Sequence, residues 1–256
     1  MCIDEDIDLY TKNDDCAFGT QVARALKEAA RYAMATICKS SAGSLLWIQE
    51  EHVRYSECGE IMSTIALFHP SFGITQGTRD AERRLSASGH DVRVVDYYGD
   101  GKTFNDYDKA NDYVSGVGFP TLMQKSLDAV SDLPDHFIVM GFSNGAGMAT
   151  YVALRRKVAA AVLCSGALPL NMIGADHWPQ GVPAQLHYMV NDRRKIEGAV
   201  ESVMASVNAA GADAEYFQYP GSGHLFTDPG LPEEYDKDAA ERLWKRVQAF
   251  CEQHGA

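Results

Sequence analysis

From Ser63 onward the chain alternates between two hydrophobic rhythms. Short runs of apolar, branched and aromatic residues read as strands over Thr64–Phe68, Val92–Tyr97, Phe137–Met140, Ala159–Cys164, Gln185–Val190 and Glu215–Tyr219. Between them, apolar positions recur at helical spacing and predict helices over Thr78–Ser88, Leu122–Val130, Ala146–Arg156, Ile196–Ala210 and Ala239–Phe250. Gly89 suits the position just past the first helix, Pro120 stands near the start of the second, and Gly211 stops the fourth. Strands alternating with helices through short connections imply βαβ units. The expected class is α/β, with a mainly parallel central sheet and helices on both faces. The long connections run over 98–117, 165–182 and 220–237. In such a sheet, loops at the carboxyl ends of the strands carry the ligands.

Residues 1–60 have a different texture. After an acidic start, Val22, Ala25, Leu26, Ala29, Ala33 and Ile37 recur at helical spacing and predict an amphipathic helix from about Gln21 to Cys38. Leu45–Gln49 and His52–Tyr55 read as two short strands. No chemistry is visible there. We expect residues 1–60 to be an N-terminal appendage, or else an upstream extension of a shorter protein whose natural start is Met62, and residues 61–256 to form the α/β domain. The competing expectation makes 45–55 an edge hairpin that buries Leu45, Leu46, Trp47 and Ile48.

Composition narrows the partners. A hydrophobic fraction of 46% in 256 residues supports a sizeable core in one large domain, or in one domain plus an appendage. The formal net charge of −12 disfavours nucleic acid and anionic membranes as main partners. No apolar stretch approaches the roughly 18 residues that a membrane-spanning helix requires. The opening MCIDEDIDLY is acidic where a secretory signal is basic, and no apolar run follows. The six cysteines (Cys2, Cys16, Cys38, Cys58, Cys164, Cys251) are scattered without C-x-x-C spacing. The expectation is therefore a cytoplasmic protein with free thiols and no zinc site.

Chemistry enters at Gly141-Phe142-Ser143-Asn144-Gly145, a G-x-S-x-G pentapeptide. Such a pattern is weak alone. Here a strand signal runs into it and a helix signal leaves it, the setting of a nucleophile elbow. A serine hydroxyl needs a base, and the base needs an acid to fix its tautomer. The chain order in this architecture is serine, then acid after a strand, then histidine in a late loop. Asp192 follows the strand ending near Val190. His224 lies in Pro220-Gly221-Ser222-Gly223-His224 after the last strand. The expected set is nucleophile Ser143, acid Asp192 and base His224. Asp192 also suits a helix N-cap. Asp228, which precedes Pro229 and suits a turn, is its rival, with Asp135 as a further one.

His90 and His136 precede strands, at the wrong end of the sheet. His187 lies within a strand and reads as a core histidine. His177 stands in a long loop, and His69 follows the first strand. Two backbone donors are expected for an oxyanion: the N–H of Asn144, and that of Ser71 or Phe72 in the loop His69-Pro70-Ser71-Phe72-Gly73. Pro70 has no N–H to offer.

From about Met62 to Phe250 the chain resembles the dienelactone hydrolase family of α/β hydrolases. The resemblance is carried by Phe72-Gly73, Arg79 and Asp80, Val95-Asp96-Tyr97-Tyr98, the elbow Gly141–Gly145, Asp192, and Tyr219-Pro220-Gly221-Ser222-Gly223-His224. It implies an α/β-hydrolase fold without a large lid domain, acting on a small-molecule ester or lactone with no cofactor. Three departures stand out. Well-known members carry a cysteine nucleophile, where this chain has Ser143. They place a glutamate in the loop after the first strand, where this chain has Pro70. They place an arginine shortly after the histidine to hold a carboxylate, where this chain has Asp228. These point away from dienelactone itself. Neutral short-chain or aryl esters are the expected substrates, ahead of dicarboxylate lactones, with Arg79, Arg193 and Arg194 nearest to supply an anion site.

A non-catalytic protein of the same fold that binds a ligand or partner is the alternative, but it would carry a degraded site, and all three positions here hold competent residues. A Rossmann-type cofactor enzyme lacks its fingerprint, since no G-x-G-x-x-G joins the first strand to a helix.

Overall fold

The computed structural model describes residues 54–55 and 61–255. The helix expected over 21–38 and the strand expected over 45–49 lie outside those residues. Two short strands, β1 (Arg54–Tyr55) and β2 (Ile61–Met62), pair in a sheet of their own.

The central sheet holds β3 (Thr64–Phe68), β4 (Asp91–Val95), β5 (Phe137–Phe142), β6 (Val158–Cys164), β7 (Ala184–Met189) and β8 (Ala214–Tyr219). Their order is β4-β3-β5-β6-β7-β8, and every neighbouring pair is parallel. The helices are α1 (Gln76–Ala87), α2 (Tyr107–Val117), α3 (Phe119–Asp128), α4 (Asn144–Ala153), α5 (Ala199–Ala209) and α6 (Lys237–His254). This is an α/β-hydrolase fold with a parallel sheet. No helix among the described residues is long and apolar enough to cross a membrane.

Strand residues alternate between two cores, as the period of two requires. Ile65, Leu67, Ile138, Met140, Ala160 and Val162 pack with Ala81 and Leu85 of α1 and with Leu243, Trp244 and Val247 of α6. Ala66, Phe68, Val139, Ala161 and Leu163 face the opposite way, against α3, α4 and α5 through Leu122, Met148, Val152 and Val203. Both faces of β3, β5 and β6 are therefore buried, which explains their near-continuous apolar runs.

The chain steps from β3 outward to β4, then crosses back to β5 on the other side of β3. The direction of winding thus reverses between β3 and β5. A crevice opens at that switch point, at the carboxyl ends of the strands. The loop after β3 and the elbow after β5 meet there.

Some boundaries differ from expectation. The strand expected over Val92–Tyr97 stops at Val95. Asp96 accepts hydrogen bonds from the N–H groups of Tyr98, Gly99 and Gly101, and this turn pulls the chain off the ladder. The connection 98–117 contains α2, which the hydrophobic pattern hides. Only Ala110 and Val114 are buried along it, although its N-cap, Asp106, accepts from the N–H of Lys109 at 3.0 Å. The connection 165–182 contains a short 3₁₀ turn, Leu170–Ile173.

Candidate active site

Ser143 sits between β5 and α4 with φ 51° and ψ −117°, a strained backbone for a residue with a side chain. Glycines make the turn sterically feasible. A Cβ at Gly141 would collide with the backbone of Gly145, and one at Gly145 with the carbonyls of Phe68 and His69. Gly145 thereby brings the first turn of α4 against the end of β3. The N–H of Ser143 donates to the carbonyl of Cys164 at 2.8 Å, which ties the elbow to β6.

His224 lies in the loop after β8. Its Nε2 is 2.7 Å from Ser143 Oγ, and its Nδ1 is 2.8 Å from Asp192 Oδ2. The Asp192 carboxylate can only accept, so Nδ1 carries the proton and Nε2 offers a lone pair to the Ser143 hydroxyl. The other oxygen of Asp192, Oδ1, accepts from the N–H of Arg194 at 2.9 Å. The side chain of Asp192 is fully enclosed, and that of His224 is 7% exposed.

Residues with no sequence signal hold this arrangement. Glu234 accepts from the N–H of Leu225 at 2.5 Å and from the hydroxyl of Tyr107 at 2.8 Å. It therefore straps the histidine loop to α2. Burial, and then the adjacent Glu234 carboxylate, push the Tyr107 hydroxyl far above the usual phenol range, so it remains a donor. Glu234 lies 127 residues from Tyr107, and nothing local marks the pair.

The rival residues are engaged elsewhere. Asp228 Oδ1 accepts from the N–H groups of Gly77 and Gly230, each at 2.8 Å, which places it at the start of α1. Asp135 pairs with Lys157 and Arg156. His90 and His136 precede β4 and β5, and His177 borders a different surface cavity beside Trp178. His187 donates from Nε2 to Gln185 and accepts from Tyr219 at Nδ1, and burial pushes its pKa down to about 3.

A cavity of about 360 Å³ opens over Ser143. Ser71, Asn144 and His224 share its floor. Its walls include Val114, Phe119, Leu168, Tyr188 and Ile196. Among the described residues no carboxylate lines it, and Arg194 is the one arginine or lysine that does. The Arg194 guanidinium lies 3.4 Å from the ring centroid of Tyr107. Arg79 is instead paired with Glu82 on α1, and Arg193 is exposed and lines no part of the cavity.

Of the expected oxyanion donors, Asn144 opens α4, where an N–H has no intrahelical acceptor. Ser71 borders the cavity. Phe72 is not among the lining residues; its ring is buried against Tyr107, and its carbonyl accepts from the N–H of Phe104.

Residues 58–255 match the dienelactone hydrolase family. A relative in Escherichia coli (strain K12), named "Putative carboxymethylenebutenolidase", is 25% identical over 231 residues, spanning 80% of this chain and 82% of its own. A dienelactone hydrolase-like promiscuous phosphotriesterase from metagenomic libraries has a similar fold, with TM-score 0.66 and 21% identity over 76% of this chain and 87% of that one. The dienelactone hydrolase of Anabaena variabilis ATCC 29413 is similar at TM-score 0.54 and 18% identity, over 76% and 88% of the two chains.

Proposed function

Because the chain belongs to the dienelactone hydrolase family and is a hydrolase of ester or lactone bonds, we propose that it works through a serine acyl-enzyme. The observation that carries this reading is the continuous hydrogen-bonded line Ser143–His224–Asp192 under the cavity. Ser143 Oγ attacks the substrate carbonyl carbon while His224 Nε2 takes its proton. Buried Asp192 holds the imidazole in the Nδ1–H tautomer and stabilises the cation that forms. The N–H groups of Asn144 and Ser71 receive the carbonyl oxygen as it becomes an oxyanion. Collapse expels the alcohol, which regains the proton from Nε2, and water then releases the acid by the same steps. The direct test is labelling with a fluorophosphonate probe, with the adduct located by mass spectrometry on Ser143. A wild-type chain that takes no label and hydrolyses no ester would favour the ligand-binding alternative.

The lining supports neutral substrates. Among the described residues the exposed Arg194 guanidinium is the one full positive charge of an arginine or lysine at the cavity, and the apolar walls suit a short acyl chain or an aryl leaving group. We expect a higher kcat/KM for neutral short-chain or aryl esters than for dicarboxylate lactones. Arg194→Gln should leave the neutral esters within about 2-fold and lower kcat/KM for a monoanionic hemiester by about 5-fold, the range of a solvent-screened ion pair. Equal effects on both substrates would remove Arg194 from any role in charge selection.

We further propose that residues 61–256 contain the whole hydrolase and that residues 1–60 are an appendage. The family match begins at residue 58, residues 62–256 form one compact unit, and every site residue lies inside it. A chain beginning at Met62 should keep its melting temperature within about 3 °C, which corresponds to less than ~1 kcal/mol for a domain of this size, and keep its esterase activity. Insolubility, or a large fall in melting temperature, would show that the N-terminal segment completes the fold.

A further inference from the structure

The two N–H groups assigned to the oxyanion come from separate segments, the loop after β3 and the first turn of α4. Their relative placement needs a cause. Three consecutive carbonyls of the β3 loop are each held by a buried side chain. The Tyr97 hydroxyl donates to the carbonyl of His69 at 3.0 Å. His69 Nδ1 lies 2.7 Å from the carbonyl of Pro70, and since a carbonyl only accepts, Nδ1–H is the donor. The Tyr98 hydroxyl donates to the carbonyl of Ser71 at 2.8 Å.

Each bond constrains the loop. The Pro70 carbonyl and the Ser71 N–H belong to one planar peptide and point in opposite directions across it. Fixing that carbonyl fixes the aim of the N–H. The N–H of Gly73 also reaches the carbonyl of Pro70 at 3.0 Å, closing a four-residue turn over Pro70–Gly73. The central peptide of such a turn has two orientations, type I and type II. The Tyr98 hydroxyl on the Ser71 carbonyl selects one of them. Tyr97 also reaches the other segment, because its hydroxyl accepts from the Asn144 side-chain amide at 3.4 Å.

The three side chains are packed together and away from the cavity. His69 stacks on Tyr97 with centroids 3.9 Å apart and meets Tyr98 edge-on at 4.7 Å. All three residues are buried, at 0%, 0% and 1% exposure, and none lines the cavity. Burial keeps both phenols protonated and favours the neutral form of His69.

We propose that His69, Tyr97 and Tyr98 are positioning residues that lock the Pro70–Ser71 peptide so that its N–H and that of Asn144 converge on the developing oxyanion. The proposal rests on the serine acyl-enzyme reading above. It assigns a function to a buried histidine that the Ser143–His224–Asp192 line does not use.

The test uses the full chain, a neutral aryl ester, and a trifluoromethyl ketone of matching acyl length. The ketone adds to a serine hydroxyl reversibly and presents a tetrahedral oxyanion. Tyr97→Phe and Tyr98→Phe each delete one oxygen and keep the ring. His69→Leu deletes the donor, and His69→Asn returns an amide N–H at the same bond distance from Cα as Nδ1. Tyr97→Phe, Tyr98→Phe and His69→Leu should lower kcat about 10- to 100-fold with KM within about 3-fold, since the lost interaction matures only in the transition state. The ketone's inhibition constant should rise by the same factor. His69→Asn should recover most of the loss. Unchanged kcat in both tyrosine variants overturns the proposal, as does equal damage from His69→Leu and His69→Asn, which would mean packing alone. If His69→Leu fails to fold, the tyrosine variants decide. These outcomes are separate from failure of the underlying reading, in which the wild-type chain itself would neither hydrolyse the ester nor take a fluorophosphonate at Ser143.

Discussion

Replacing Ser143 with alanine is expected to lower kcat on the order of 10⁴-fold or more, His224→Ala should do the same, and the double variant should lose little beyond either. The reason lies in the geometry of the pair. Ser143 Oγ and His224 Nε2 are 2.7 Å apart, so the hydroxyl proton has one acceptor already in line. Without the imidazole, Ser143 remains a neutral alcohol and a poor nucleophile. Without the hydroxyl, the imidazole has no reacting proton to move. A 10⁴-fold loss corresponds to roughly 5 kcal/mol of transition-state stabilisation, at about 1.4 kcal/mol per tenfold. Deleting the second member removes an interaction that has already gone. What survives under the proposed mechanism is the oxyanion N–H pair and substrate binding, which by themselves leave catalysis above the rate in water. The measurement is kcat on one neutral aryl ester for the wild type, both single variants and the double variant. Losses that multiply would mean that the two residues act independently, and the acyl-enzyme reading would fall.

Local signals made much of this fold and of the candidate site's geometry legible. The strands β3, β5 and β6 are buried on both faces, so their apolar runs stand out from the flanking turns. The elbow is readable because the steric demand of a strained turn is met by glycines at fixed offsets, Gly141 and Gly145, within five residues. Asp192 and His224 are readable by their place after β7 and β8. Helix α2 is not readable, because only Ala110 and Val114 bury themselves along it, and packing rather than pattern holds such a helix in place. The Glu234 strap is illegible for another reason: its partners Leu225 and Tyr107 are joined to it by tertiary contact alone. Arg194 is legible only in part, as one of three candidate arginines. Its number in the chain marks it as close to Asp192, but only the fold lays it on Tyr107 at the cavity rim. The aromatic packing behind the β3 loop lies between these cases. Val95-Asp96-Tyr97-Tyr98 is visible in the sequence, while its hold on the carbonyls of residues 69 and 71 depends on β3 and β4 being parallel neighbours.

Asp192→Asn is expected to lower kcat by about 10⁴-fold with the fold intact, whereas Asp228→Asn should leave kcat within a few-fold. The two aspartates differ in what their oxygens accept. Both oxygens of Asp192 are used: Oδ2 takes the Nδ1–H of His224 and Oδ1 takes the N–H of Arg194. An asparagine has one acceptor and one donor, so it cannot satisfy both. If its NH₂ faces His224, Nδ1 must give up its proton, Nε2 becomes the protonated nitrogen, and nothing accepts from Ser143. If its oxygen faces His224 instead, the NH₂ meets the Arg194 N–H, donor against donor. The negative charge that stabilises the imidazolium is lost either way. Asp228 uses a single oxygen for both of its contacts, the N–H groups of Gly77 and Gly230. An asparagine can keep that oxygen in place, so the turn and the start of α1 survive. Asp228→Ala removes the acceptor and should cost about 1 kcal/mol of stability, the usual scale for a lost helix cap, again with little change in kcat. Measuring kcat and the unfolding midpoint together on all three variants separates the roles. A catalytic collapse in Asp228→Asn, with Asp192→Asn near wild type, would transfer the acid's role to Asp228 and overturn the assignment of Asp192.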